Sequence, residues 1–462
     1  MVPKRLLGIV ASGIFIFTVS VKGQSVNIPP YDIATLPNGL KVLIMEWHRL
    51  PLVEFRLTTR GGSSHDPAGK EGLASITAAL LRQGTEHRNA KEISDAIDFV
   101  GGVLSTAADL DYFSVSCEVL TKDLKTGLEL FSDVVLHPTF PDSELQRERA
   151  QRLAEIEGYK EDPRTIAGIA FNRAVFGKHP YAHPAIGNRS SLQSITRDDV
   201  TRFYRETFLP NESILTVVGD VQADEMLRQL TAIFGSWEKR SPQTVSLKAP
   251  EEIHGRQVVL VDKPDVTQTQ IRIGNIGIAR NNPDYFPIIV ANSILGNGFT
   301  SRLVEEIRVK RSLTYGVVSN FSANLVNGLY SIATFTKNAT TREVIDLALE
   351  EVKKFRDSGA TEAELEKAQN YLAGGFARSL QSPAVLAAQI SMVEFYGLPR
   401  NYLNTYIENL KRVTLSDVQR VAKKYFLYDD LVILVVTPAK LTESSLAALG
   451  PVKVIPFEEA IQ

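Results

Sequence analysis

Cysteine is almost absent. Cys117 is the only one in 462 residues, so no disulfide can form within the chain whatever the redox compartment. It lies in the β-rich run Tyr112-Phe113-Ser114-Val115-Ser116-Cys117-Glu118-Val119, where a thiol reads as a small buried hydrophobe and not as a nucleophile. A surplus of either charge is also missing. With 51 basic against 53 acidic residues, the chain lacks the electrostatic footprint of a nucleic-acid binder, and that class of partner is excluded. The apolar run near the start is short: Lys4 and Arg5 precede the uncharged stretch Leu6 to Val21, and Lys22-Gly23-Gln24-Ser25 follows. A hydrocarbon core needs about 20 apolar residues to span. The order of charge, apolar core and small residues therefore reads as a signal peptide over residues 1–23, cut between Gly23 and Gln24, with an uncleaved tether as the alternative. The expected location is exported, periplasmic or otherwise extracytoplasmic.

What is present is ordinary globular composition, 44% hydrophobic and 23% charged, in a chain long enough for two cores or more. It also carries a repeat. Ile195-Thr196-Arg197-Asp198-Asp199-Val200, with Phe208-Leu209 and Leu215-Thr216-Val217-Val218, returns 218 residues later as Val413-Thr414-Leu415-Ser416-Asp417-Val418, Phe426-Leu427 and Ile433-Leu434-Val435-Val436. Each copy predicts a helix opening at the threonine and running into a short buried strand. A second register, 214 residues apart, matches Leu80-Leu81, Gly84, Arg88, Ile93, Val103 and Ser105 with Ile294-Leu295, Gly298, Arg302, Ile307, Val317 and Ser319. Two registers imply a small insertion between copies of one unit.

The expected architecture is α+β: two homologous lobes, each a mostly antiparallel sheet with helices packed on it. The lobes are placed at residues 30–238 and 256–462, joined by a polar, proline-marked linker at 239–255. Lys41 to Met45 and Val53 to Thr58 read as strands that pair antiparallel. Glu71 to Leu81, Ala90 to Val100, Leu124 to Val135 and Ser143 to Tyr159 have helical apolar spacing.

The candidate chemistry begins at Gly61-Gly62-Ser63-Ser64-His65-Asp66-Pro67, leading through Gly69-Lys70-Glu71-Gly72-Leu73-Ala74 to Ser75-Ile76-Thr77-Ala78-Ala79. This frame resembles the pitrilysin and mitochondrial-processing-peptidase family of inverzincins. There, glycine-leucine-alanine precedes a helix bearing His-x-x-Glu-His, two zinc-binding imidazoles one turn apart and a glutamate that activates water. At the matching positions this chain has Ser75, Ala78 and Ala79, which offer no zinc ligand set. The family's third ligand and a carboxylate two turns ahead of it match Glu155 and Glu148, which share a helix face and read equally as solvated charges. His179 and His183 flank Pro180 and precede Pro184, a pattern of loop and not of a metal-binding helix. His48, His65, His87, His137 and His254 read as isolated side chains.

In the second half, Leu295-Gly296-Asn297-Gly298-Phe299-Thr300-Ser301-Arg302-Leu303 and Glu305-Glu306-Ile307-Arg308-Val309-Lys310-Arg311-Ser312-Leu313-Thr314-Tyr315 are similar to the signature of the family's non-zinc lobe. The resemblance implies that Arg308 and Tyr315 reach a zinc site in active members, a hydroxyl donating to an oxyanion and a guanidinium holding substrate. Their plain alternatives are a helix ion pair with Glu305 and a buried ring. The resemblance runs from Tyr31-Asp32 to about Thr437. It implies a non-metal subunit that binds no cofactor alone, pairs with a homologue bearing His-x-x-Glu-His and its zinc, and acts on unfolded peptide. A structural or peptide-holding protein of the same fold is the alternative.

Overall fold

The computed structural model describes residues 27–242 and 246–461; the expected signal segment lies outside them. The first sheet contains β1 (Asp32–Thr35), β2 (Lys41–Glu46), β3 (Leu52–Arg60), β4 (Val103–Ala108), β5 (Tyr112–Leu120) and β6 (Ser213–Gly219), in the order β1-β2-β6-β3-β5-β4. Then come β7 (Arg256–Asp262), β8 (Gln268–Ile276), β9 (Ile278–Ala279), β10 (Val317–Phe321), β11 (Ala323–Asn324), β12 (Leu329–Lys337), β13 (Leu431–Thr437) and β14 (Val452–Pro456). β9 and β11 form a small parallel pair; the others form a sheet of order β14-β7-β13-β8-β12-β10.

Read that way, β7, β13, β8, β12 and β10 repeat the order and directions of β2, β6, β3, β5 and β4. Each sheet is mostly antiparallel with one central parallel pair, and the α+β expectation of two like lobes holds. Only the outer edge differs: β1 lies antiparallel to β2, whereas β14 lies parallel to β7. The sequence repeat maps onto this geometry residue by residue, since β6 shifted by 218 is β13, and the Arg197–Thr207 helix becomes Leu415–Tyr425. Both helices open with the same reciprocal cap. Thr196 Oγ1 accepts from Asp199 N at 3.2 Å while Asp199 Oδ2 accepts from Thr196 N at 2.9 Å, and Thr414 and Asp417 do likewise at 3.2 and 3.1 Å. Such caps stabilise a helix start by about 1 kcal/mol each.

The expected pairing of Lys41–Met45 with Val53–Thr58 does not form. β6 lies between them, parallel to β2 and antiparallel to β3. β6 is the most continuously buried strand of its sheet, and an apolar run of that kind gains most in a central position covered on both faces.

The cover on the second face comes from the opposite half of the chain. The Pro163–Phe176 helix, capped by Asp162, packs Ile166, Ala167 and Phe171 on Val432, Leu434 and Val436 of the second sheet. Its counterpart, the Pro383–Phe395 helix, capped by Ser382, packs Leu386, Ile390 and Val393 on Leu43, Met45 and Val218 of the first. A buried hydrogen bond of 2.8 Å between Thr216 Oγ1 and Ser391 Oγ fixes that crossing. Each lobe thus lends one helix to the other's sheet. Asp111 adds a polar tie, since one carboxylate oxygen accepts from the Tyr181 hydroxyl and the other from Leu325 N at 2.8 Å. Among the described residues, no helix is long and apolar enough to cross a membrane.

Candidate functional site

The Leu73–Leu80 helix carries Ser75, Ala78 and Ala79. Its start is set by Gly72 at φ 95°, where a Cβ would come within 2.5 Å of Ile186 O; only glycine fits that left-handed, close-packed position. Asp66 accepts from Gly72 N and Ala74 N, both at 2.7 Å, and satisfies the helix's first donors. Burial raises its carboxyl to about 8, opposed by those two N–H groups. Ala78 faces the core with 1% exposure, and Ala79 and Ser75 are half-buried.

Opposite lies the Asp142–Gly158 helix with Glu148 and Glu155. Between these two carboxylates in sequence stands Arg152, four residues after one and three before the other, so all three share a face. Its guanidinium donates to Ser75 Oγ at 2.8 Å through Nη1 and to Ser75 O at 3.1 Å through Nη2. Burial lowers the Arg152 pKa, while Glu148, Glu155 and Tyr159 pull it back up. Glu155 is exposed and accepts from the Tyr159 hydroxyl at 2.9 Å, and Glu148 accepts weakly from Arg147 at 3.4 Å.

The structure therefore puts a cation on Ser75, the Arg152 guanidinium, on the same helix face as Glu148 and Glu155, which raise its pKa without bonding it. Sequence reading missed it. The signal was available in the spacing Glu148, Arg152, Glu155, which on a helix predicts one charged face. The family's zinc does not fit here: position 75 has a hydroxyl already engaged, positions 78 and 79 have no donor atoms, and a guanidinium occupies the space between the helices.

Arg308 and Tyr315 lie in the second lobe. Arg308 belongs to a π-helical segment, Val304–Lys310, a wide turn often found at functional sites. Tyr315 follows on a turn clamped by Thr314, whose hydroxyl and N–H neighbours close on Gly316, with Thr334 Oγ1 donating to Gly316 O at 2.9 Å. Both plain alternatives fail. Arg308 is exposed with no ion pair to Glu305 among the described residues, and Tyr315 is 83% exposed instead of buried. No hydrogen bond or ion pair among the described residues joins them to the Ser75 group. The turn is closed by hydrogen bonds, while the Arg308 and Tyr315 side chains face solvent.

His179 and His183 occupy a loop, as their prolines predict. His179 Nδ1 accepts from Tyr181 N at 3.1 Å and its Nε2 lies 2.9 Å from Lys248 O, both structural contacts. Cys117 is buried, and burial pushes its thiol up to about 12. His87 and His137 are not isolated: both approach Asp133, at 2.7 and 3.5 Å.

Residues 41–189 match the family described as "Insulinase (Peptidase family M16)", and residues 194–372 match "Peptidase M16 inactive domain". The chain is 29% identical over 390 residues to an uncharacterized zinc protease of Mycobacterium leprae, spanning 84% of this chain and 87% of that one. It is 25% identical to a protein of Helicobacter pylori named non-peptidase homolog YmxG, spanning 86% and 92%. A crystal structure described as a peptidase M16 inactive domain from Pseudomonas fluorescens superposes with a TM-score of 0.84 at 28% identity, covering 89% of this chain and 98% of that one. A protease from Helicobacter pylori shares the fold with a TM-score of 0.81 at 22% identity, covering 89% and 100%.

Proposed function

Because the chain belongs to the M16 peptidase family, we propose that it is a catalytically degenerate subunit, exported from the cytoplasm, that pairs with a homologue bearing His-x-x-Glu-His. The partner carries the zinc. This chain helps to enclose an unfolded peptide and supplies Arg308 and Tyr315.

The observation that carries the reading is Arg152. Its guanidinium bonds both oxygens of Ser75 and feels the charges of Glu148 and Glu155, so the two helices are tied by a permanent charge and not by an exchangeable metal. Such a tie keeps the fold and gives up the chemistry. Arg308 and Tyr315 support the second half of the reading: one lies on the π-helical segment and the other on the hydrogen-bonded turn after it, and both side chains are exposed. A tyrosine hydroxyl donates to the oxygen that becomes negative when an amide is attacked, and a guanidinium holds peptide carbonyl or carboxylate. Neither group accelerates hydrolysis without a nucleophile supplied from elsewhere.

The test is reconstitution with a co-encoded homologue that has the intact zinc helix. The pair is expected to hydrolyse unfolded peptide, while this chain alone does not. Tyr315→Phe should lower kcat by about 100-fold, the loss typical of one oxyanion donor, and Arg308→Ala should raise KM as well. Full activity of a pair carrying both substitutions would assign the chain a holding role only.

A further inference from the structure

Asp133 and His137 lie one turn apart at the end of the Leu124–Leu136 helix. The loop bearing His87 is held against that end: Thr85 bridges Pro138, Glu86 N donates to His137 O at 2.9 Å and Thr139 N to Gly84 O at 3.0 Å. His87 Nδ1 lies 2.7 Å from Asp133 Oδ1, and His137 Nδ1 lies 3.5 Å from the same oxygen. The three candidate ligand atoms are all within 4.8 Å of one another. Asp133 Oδ2 is occupied separately, accepting from Thr85 Oγ1 at 2.7 Å and Arg88 Nη1 at 2.9 Å. His137 Nδ1 is buried and makes no hydrogen bond.

We propose that His87, Asp133 and His137 form a binding site for a divalent transition-metal ion, with Zn²⁺ the best match, separate from the Ser75–Arg152 group.

Two imidazoles and one carboxylate oxygen are the donor set such ions prefer, and three protein ligands leave a position open to water. A buried ring nitrogen with no partner is costly, and an ion bound to it removes that cost. Thr85 and Arg88 hold the remote carboxylate oxygen and so aim the near one; the Arg88 charge is already paired with Asp133 at 2.9 Å, so it opposes a bound cation less than Arg152, which makes no ion pair among the described residues. Arg302, the counterpart of Arg88, also ties to an acid, Glu364, through bonds of 2.7 and 2.8 Å. The residue matching His87 is Ser301, 214 positions on. Glu364 stands on the Glu362–Ser379 helix and not on Thr341–Ser358, the counterpart of the helix bearing Asp133, so the two ties are not equivalent; the imidazole of His87 is particular to the first lobe. This departs from the expectation that the chain alone binds no cofactor.

Zinc titrated into the full chain, first stripped of metal by a chelator, is expected to bind at one ion per chain. His87→Ala and His137→Ala should each weaken it at least about 100-fold, and Thr85→Ala about 10-fold. Both rings are substantially exposed, with side chains 58% and 41% accessible, so these variants keep the fold, which circular dichroism checks. Cobalt in place of zinc should give a visible absorption that both histidine variants lose. Less than one equivalent of zinc in the unaltered chain overturns the proposal. So does one equivalent that survives the combined His87→Ala and His137→Ala substitutions. Neither result touches the subunit reading, which rests on Arg152, Arg308 and Tyr315.

Discussion

Replacing Ser75 and Ala79 by histidine puts two imidazoles one turn apart on the helix that faces Glu155, yet zinc should still bind poorly there while Arg152 remains. A guanidinium within about 5 Å of a doubly charged ion costs roughly 7 kcal/mol at an effective dielectric constant of about 20, a factor of about 10⁵ in affinity. The side chain can swing toward solvent and recover part of this, so about 10²-fold is the least effect expected. Adding Arg152→Ala removes the opposing charge and should restore that factor. Ala78 is best left alone, because its side chain points into the core and a carboxylate there would be buried unpaired. The assay is zinc affinity by competition with a chelating dye, in a background with His87 and His137 both changed to alanine so that the second site is silent. Refutation is simple to recognise: the double-histidine chain with Arg152 present binds zinc within tenfold of the chain without it. Arg152→Ala in the otherwise unaltered chain loses two charge-assisted hydrogen bonds. It should destabilise the first lobe by about 2 kcal/mol.

Ile390→Ala should cost about 3 kcal/mol, and hydrogen exchange should accelerate first in β3 and β6, the strands its helix covers; acceleration confined to the second sheet would contradict the exchange of helices. Glu54 is buried, its carboxyl raised to about 7 by burial, with Arg56 too distant at 3.4 Å to restore it fully. Because the folded state holds this proton more tightly than the unfolded one, stability falls as pH rises from about 4.5 to about 7. Glu54→Gln should accordingly raise Tm at pH 8, by up to about 3 kcal/mol of stability, and have little effect at pH 4; an equal gain at both would refute the assignment. The Cys117 thiol should resist a thiol reagent in the native chain and react only on unfolding. Asp111→Ala should lower Tm, since it releases both Tyr181 and Leu325; an unchanged Tm would remove Asp111 as a tie between the lobes.

The duplication, the capped helices and the loss of the zinc helix were all readable in residue order, because each depends on contacts within about ten residues or on identity at a fixed spacing. Thr196 with Asp199 and Thr414 with Asp417 are local caps. Ser75, Ala78 and Ala79 lack the atoms a metal needs, whatever surrounds them. Strand neighbours were not readable, because β6 enters between β2 and β3 from more than 150 residues away and hydropathy alone does not say which buried strand is central. The exchange of the Pro163–Phe176 and Pro383–Phe395 helices was equally hidden, since an apolar helix face is silent about which of two like sheets it covers. Arg152 on Ser75, and two scattered histidines on Asp133, are the same kind of fact. Charge and donor type are written in the sequence, but which groups meet is decided by packing between distant segments.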